Sequence, residues 1–211
     1  MLVIKNLTKQ FKAGKPIFAG ISMSFEQGCG VGLVGPNGSG KTTFLRILSV
    51  NSFPTDGMVL YNGVDIHRKP SAYLQYVGLV HDEETLPHHL SAMELLEWIL
   101  RSRKLWEDES FENMNNLFDK LALAERDEPI GTYSTGMKKK TQIAAAIIVE
   151  PKILILDEPL RGLDEATRKV VFNLIADTKI KNNTLILMAS HSTRSLREIS
   201  DKMIEFPLTR E

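Results

Sequence analysis

A single cysteine, Cys29, excludes a disulfide within the chain and suits a reducing compartment. Its apolar neighbours read as a strand, with the thiol in the core. Long apolar runs are missing too: the longest strictly apolar stretch, 143–149, falls far short of the roughly 20 residues that span a bilayer as a helix. The opening "MLVIKNLTKQF" lacks a basic segment followed by a long apolar stretch, so an export signal is not expected and a first strand is. Net charge is absent, with Lys+Arg and Asp+Glu both at 26. The overall field therefore gives no reason to expect a polyanionic nucleic acid as partner, although a local basic patch stays compatible with it. There is no repeat of solenoid period, no low-complexity tract and no linker. What remains is an ordinary globular composition, 43% hydrophobic over 211 residues, enough for one sizeable core and a subsidiary lobe.

Alternating polarity over 2–11 and 21–25, either side of a turn at Gly14 and Pro16, predicts two strands. "CGVGLVG" reads as a short buried strand running into a glycine loop, and Phe44, Leu45, Ile47 and Leu48 give helical spacing after it. Asn62-Gly63 sits between β-rich arms as a two-residue hairpin turn, and "LQYVGLV" gives a further strand ending at Val80. The pattern then turns helical. Ser91 and Glu94 form a capping box ahead of "LLEWIL", and Phe111, Met114, Phe118 and Leu121 mark a second helix. A helix after Tyr133, the strand "KILILDEP", a helix over 164–177, the strand "TLILMAS" and a helix through Leu196 and Ile199 complete the chain. This alternation predicts an α/β fold with a mostly parallel sheet, an N-terminal antiparallel layer and a helical insertion. The expected boundaries are 1–85 and 136–211 for the core and 86–135 for the helical subdomain.

Gly35-Pro36-Asn37-Gly38-Ser39-Gly40-Lys41-Thr42 fits the G-x-x-x-x-G-K-[ST] pattern between a predicted strand and a predicted helix. Glycines let consecutive N–H groups turn inward as an anion nest, and the helix end adds its dipole. Lys41 reaches the outer phosphates, and Thr42 offers a hydroxyl to magnesium. Asp157, at the end of a buried strand, supplies the second oxygen a metal needs. Glu158 should point the other way from Asp157 unless the chain bends there. It is assigned to the attacking water. His191 follows another strand at the sheet's carboxyl edge, within reach of a terminal phosphate, although a lone strand-end histidine is more often structural. His88 and His89 lie in a proline-containing loop and read as exposed.

Three lysines, Lys138, Lys139 and Lys140, crowd the start of the helix after Tyr133, where the macrodipole is already positive. Either they are simply solvated or something anionic docks there.

The order "GPNGSGKTT", "YSTGMKKK", "ILILDEP", "LRGLD" and the "SH" at His191 resembles an ATP-binding-cassette (ABC) ATPase over nearly the whole chain. The resemblance implies the P-loop NTPase fold and an ATPase using ATP and Mg2+. It also implies a head-to-tail dimer in which each site joins one copy's phosphate loop, with Thr43 beside it, to the other's signature helix. Ser134 and Gly136 would then meet the partner's nucleotide, with the lysines near that anion. Asp164 would cross the interface and Phe11 would stack on adenine; the plainer reading of Phe11 is a core aromatic closing the first strand.

The sequence departs from the family pattern at Asp82, where a glutamine is usual and serves metal and water. Asp82 can still ligate magnesium, but its charge should slow hydrolysis, and Asp82→Gln should raise the basal rate. Thr135 and Met137 also replace more usual residues in the signature. The variant "YSxGMK" looks most like export-type ATPases, and the absence of a further regulatory segment after "DKMIEFPLTRE" agrees. The expectation is a cytoplasmic subunit at the inner face of the membrane, paired with a second ATPase copy or a paralogue and with separate membrane-spanning permease chains. Leu86, Leu90, Met93, Trp98 and Trp106 are candidates for a groove that takes a partner helix, and an ordinary lobe core is an equally good reading of any one of them. The competing class is a soluble nucleotide-gated switch with no transport role.

Overall fold

A computed structural model of the chain describes residues 1–12, 14–83, 85–191 and 193–208. Two long strands, β1 (Leu2–Lys12) and β2 (Lys15–Phe25), come first, and β3 (Gly30–Val34) then runs into helix α1 (Lys41–Leu48). β4 (Asp56–Tyr61) and β5 (Val64–Asp65) form a hairpin, followed by α2 (Pro70–Leu74) and β6 (Val77–Val80). Helices α3 (Ala92–Ser102) and α4 (Ser110–Lys120) make the helical lobe, and after a 3-10 turn at Ile130–Thr132 helix α5 (Thr135–Ile147) packs on β6. The chain ends through β7 (Ile153–Asp157), α6 (Glu165–Asn182), β8 (Leu185–Ala189), α7 (Thr193–Ile199) and β9 (Lys202–Glu205).

β2, β1, β4 and β5 form the antiparallel layer in that order. Its hairpin turn has positive φ at both central residues, 49° at Asn62 and 83° at Gly63, the geometry for which Asn-Gly is selected. The second sheet runs β6-β7-β8-β3-β9 and every described pairing in it is parallel. Its central strands β7 and β8 are apolar along their length up to Asp157 at the end of β7, because both faces are covered. In β7, Ile153 and Ile155 pack toward the antiparallel layer and α1, whereas Leu154 and Leu156 pack toward the helices. β8 repeats the division, with Leu185 and Leu187 on one side and Ile186 and Met188 on the other. Burying each such side chain stabilises the fold by about 1.5–3 kcal/mol before chain entropy is counted.

The capping box is present: Ser91 Oγ accepts from Glu94 N–H, and Glu94 reaches back to Ser91 N–H. The lobe has no separate core, since Leu96 and Phe118 belong to the same cluster as Ile143 and Leu154. Of the five apolar residues considered for a groove, four take the lobe-core alternative. Met93 is buried, and Leu86, Leu90 and Trp106 pack against that cluster, with Arg101 stacked 4.1 Å over Trp106. Trp98, at 63% exposure, alone of the five stands in solvent. Cys29 lies one residue before β3 and is only partly buried. α6 runs five residues past the expected end at 177, to Asn182, and its last turn is mostly polar, so apolar spacing gave no sign of it. It closes at Asn183 with φ 52°.

Candidate nucleotide site

The carboxyl ends of β3, β6, β7 and β8 lie along one edge of the parallel sheet, where open α/β sheets bind ligands. A cleft of about 280 Å³ opens there, lined by residues 37–43 with Asp82, Asp157, Glu158, Arg161 and His191. Its floor is the loop from Gly35 to α1. Gly35 has φ 154°, and a Cβ there would sit 2.5 Å from the Phe206 carbonyl oxygen. Gly40 has φ 106°, and a Cβ would meet Ile17 at 2.5 Å, so neither position accepts a larger residue. α1 starts at Gly40 with no side-chain cap and no acid in its first turn, leaving its positive end to the cleft. Phe44 locks the helix from behind, edge-on to Phe18 at 5.9 Å and to Phe206 at 5.6 Å.

Lys41 is buried, and its Nζ donates to the carbonyls of Gly35 at 2.7 Å and Pro36 at 3.0 Å. Ser39 Oγ is buried without a hydrogen-bond partner. An ammonium resting on its own loop and a buried hydroxyl with nothing to bond fit a phosphate-bearing ligand.

Thr42 hydrogen-bonds the carboxylate of Asp157, which burial pushes above the ordinary carboxylate range despite that bond. Among the described residues no group of three or more His, Cys, Asp or Glu could hold a metal by itself. Two hard oxygens beside a phosphate cradle fit magnesium, which keeps waters and takes the rest of its shell from phosphate.

Glu158 does not turn away from Asp157 as a regular strand would require. Its φ is 49°, so the chain bends after the strand and both carboxylates reach the cleft. The bend is held by Glu158 N–H donating to the Ala189 carbonyl at 3.0 Å. Burial raises the Glu158 pKa and the neighbouring His191 opposes the shift, with His191 Nε2 3.6 Å from Oε1.

Asp82 also lines the cleft, but its charge is not bare: Arg161 Nη1 donates to both of its oxygens, at 2.7 and 2.8 Å. The charge expected to slow hydrolysis at Asp82 thus has a cation opposite it. Sequence reading missed Arg161. The unmatched acid at position 82 was the available signal that a cation should stand opposite.

Two of the three lysines of α5 are tied to backbone carbonyls of their own chain. Lys139 is buried and donates to the His81 carbonyl at 2.8 Å, and Lys140 donates to the Ala122 carbonyl at 3.0 Å. These two ammonium groups hold α5 to its own chain. Burial pushes the Lys139 pKa down, with nearby Asp82 opposing the shift.

Ser134, Gly136, Asp164 and Phe11 do not line the cleft. Ser134 is exposed and caps α5 by accepting from Met137 N–H. A Cβ on Gly136 would meet Gly162 O at 3.4 Å, close but accommodated, so the fold itself does not demand glycine there. Asp164 caps α6, its carboxylate held by the Thr167 N–H at 2.9 Å and hydroxyl at 2.7 Å, and these bonds lower its pKa. Phe11 is 71% exposed, with the Lys9 ammonium 4.9 Å from its ring, which excludes the core reading. His88 and His89 are exposed.

The family described as ABC transporter matches residues 18–161. The chain is similar to ABC transporter A family member 7 of Dictyostelium discoideum, 31% identical over 96% of this chain and 24% of that protein. It spans a quarter or less of the first curated relatives it matches. It is 29% identical to the ABC transporter ATP-binding protein NatA of Bacillus subtilis (strain 168), over 97% of this chain and 85% of NatA. A Mesoplasma florum spermidine/putrescine import ATP-binding protein is also 29% identical, over 97% of this chain and 58% of its own. Among solved structures, a dimeric post-hydrolysis ATP-binding cassette bound to ADP and Pi superposes with a TM-score of 0.86 at 22% identity, covering 98% of this chain and 94% of the other.

Proposed function

The chain belongs to the ABC transporter family, and from that premise we propose that it is the ATP-binding and hydrolysing unit of a transporter, paired head to tail with a second ATPase copy or a paralogue and driving separate membrane chains. The observation that carries the reading is the convergence of the phosphate loop, Asp157, Glu158 and His191 on one cleft at the sheet edge.

In this reading residues 35–43 cradle the phosphates through backbone N–H groups, and Lys41 leaves its loop carbonyls to meet the outer phosphates. Thr42 and Asp157 hold magnesium, which supplies charge neutralisation at the phosphate oxygens. Asp82 lies at the same cleft, with Arg161 donating to both of its oxygens. Glu158, its pKa raised by burial, orients the attacking water and receives its proton, and His191 steadies Glu158 beside the terminal phosphate. Ser134 and Gly136 close over the partner's nucleotide, Asp164 faces the partner, and the exposed ring of Phe11 stacks on adenine. The 86–135 segment is the part that answers to a membrane partner.

Outward transport is the direction proposed, on the likeness of "YSTGMKK" to export-type ATPases, with the protein at the cytoplasmic face of the membrane. Among the described residues no helix is long and apolar enough to cross a membrane.

The test is purified protein with MgATP. The parent binds and hydrolyses ATP, whereas Glu158→Gln binds it, pairs, and turns over about 10²–10⁴-fold more slowly. A parent that captures no ATP overturns the assignment. Affinity capture from detergent-extracted membranes should bring down a polytopic partner; a complex made only of water-soluble proteins favours the switch reading instead.

A further inference from the structure

Asp82 and Arg161 stand 79 residues apart in sequence and meet through two short contacts inside the cleft, from the loops that follow the neighbouring strands β6 and β7. The pair is open, with side-chain exposures of 34% for Asp82 and 67% for Arg161, so it adds little to the stability of the fold. Its surroundings are nevertheless fixed. The backbone on either side of Asp82 is clasped: Lys139 holds the His81 carbonyl at 2.8 Å, and Gln142 holds the Glu83 carbonyl at 3.3 Å. The Glu83 side chain is tied to Arg46 of α1 at 2.8 Å. Asp82 is thus held in the cleft with two other acids, and its charge helps to raise the pKa of both Asp157 and Glu158. Three carboxylates around a phosphate site repel the ligand unless cations offset them.

We propose that Arg161 is a positioning residue for the nucleoside triphosphate, cancelling the charge of Asp82 so that the cleft tolerates a terminal phosphate, and that the pair together sets the preference for triphosphate over diphosphate. The inference rests on the reading that this cleft binds ATP. Arg161 acts through Asp82 and makes no claim on the reacting atoms. Because the cancellation is electrostatic, it needs the cation's charge more than its shape, and it matters most for the ligand with the extra phosphate.

The experiment is equilibrium binding of ATP and ADP, without turnover, to four variants at low salt. Arg161→Gln strands the Asp82 charge and weakens ATP about five- to tenfold, with less than about twofold change for ADP. The double variant Asp82→Asn, Arg161→Gln returns the ATP-to-ADP preference to within about twofold of the parent. Arg161→Lys keeps the preference, since it keeps the charge. The loss in Arg161→Gln shrinks at high salt. Melting temperatures stay within about 2 °C of the parent for all, as expected for an exposed pair. Equal weakening of ATP and ADP by Arg161→Gln, or a double variant no better than Arg161→Gln alone, overturns the proposal. If Arg161→Gln melts early, Asp82→Asn and Arg161→Lys decide: both hold or raise the ATP preference if the proposal stands, and a fall in either overturns it. A parent that binds neither nucleotide refutes the function proposed above rather than the pairing.

Discussion

The N-terminal ends of α1 and α5 both lack acids in their first turns, whereas α3 and α6 carry Glu94 and Glu165 there. The first two part company in what they do with the unbalanced positive pole. At α1 the glycine loop folds back over the helix end, Lys41 is drawn in, and a buried Ser39 hydroxyl stays unbonded, so the features that fit an anion all lie within one chain. At α5 the end faces outward, Ser134 caps one N–H, and Lys139 and Lys140 are spent on carbonyls of their own chain. The difference teaches that a bare helix end marks an anion site only when the backbone around it encloses one. The α5 end becomes half of a site if a second copy brings the phosphate to it.

The comparison can be broken most sharply at α1. Lys41→Ala should weaken ATP binding about 100-fold while the fold survives, because the charged hydrogen bonds it makes are to loop carbonyls rather than to the core. Isothermal titration checks it, and near-parent affinity would mean that the enclosed end is not the nucleotide cradle.

The α5 end calls for the opposite pattern. Thr135→Asp adds an acid to the first turn and should stabilise the helix by about 0.3–1 kcal/mol. The same charge, facing a partner's phosphate, should weaken ATP-driven pairing about tenfold and leave monomer ATP affinity unchanged. Sedimentation with Glu158→Gln in the background reads pairing, and unaltered pairing would return α5 to a purely structural role.

The smallest effect concerns pH. His81 is half-buried between the two regions, hydrogen-bonded to Asn51 at 2.7 Å, and burial with nearby Arg46 lowers its pKa below 6.5. A depressed pKa gives stability that is fully present above 6.5 and lost as pH falls toward the folded value. Asp157 and Glu158, with raised values, act with the other sign and gain stability on acidification. The His81 contribution is therefore the difference between parent and His81→Gln, seen as a urea midpoint that falls less in the variant between pH 7.5 and 5.5. Identical falls would remove it.

The layered fold was legible in the sequence because its signals are local. Asn62-Gly63 fixes a hairpin turn, Ser91 and Glu94 fix a helix start, and the unbroken apolar runs of β7 and β8 identify strands covered on both faces. α2 and β9 carry no comparable pattern, being short and partly exposed, and were not anticipated. The P-loop spacing likewise made the cradle readable, since closely spaced glycines and one lysine carry its geometry within a few residues.

The rest depended on contacts between distant segments. Nothing local to Glu158 announces the bend that turns its carboxylate beside Asp157, because the bend is held by the Ala189 carbonyl of the next strand. Position 82 looked like a misplaced charge until Arg161 met it from the turn after β7. The lysines of α5 looked like an invitation to an anion until the fold gave two of them carbonyls to bind. By itself the sequence determined which segments become strands, helices and an anion-binding loop, since backbone preference and apolar spacing act over short range. The tertiary structure alone decided which charges are cancelled and which remain for a ligand, because that depends on side chains brought together from far along the chain.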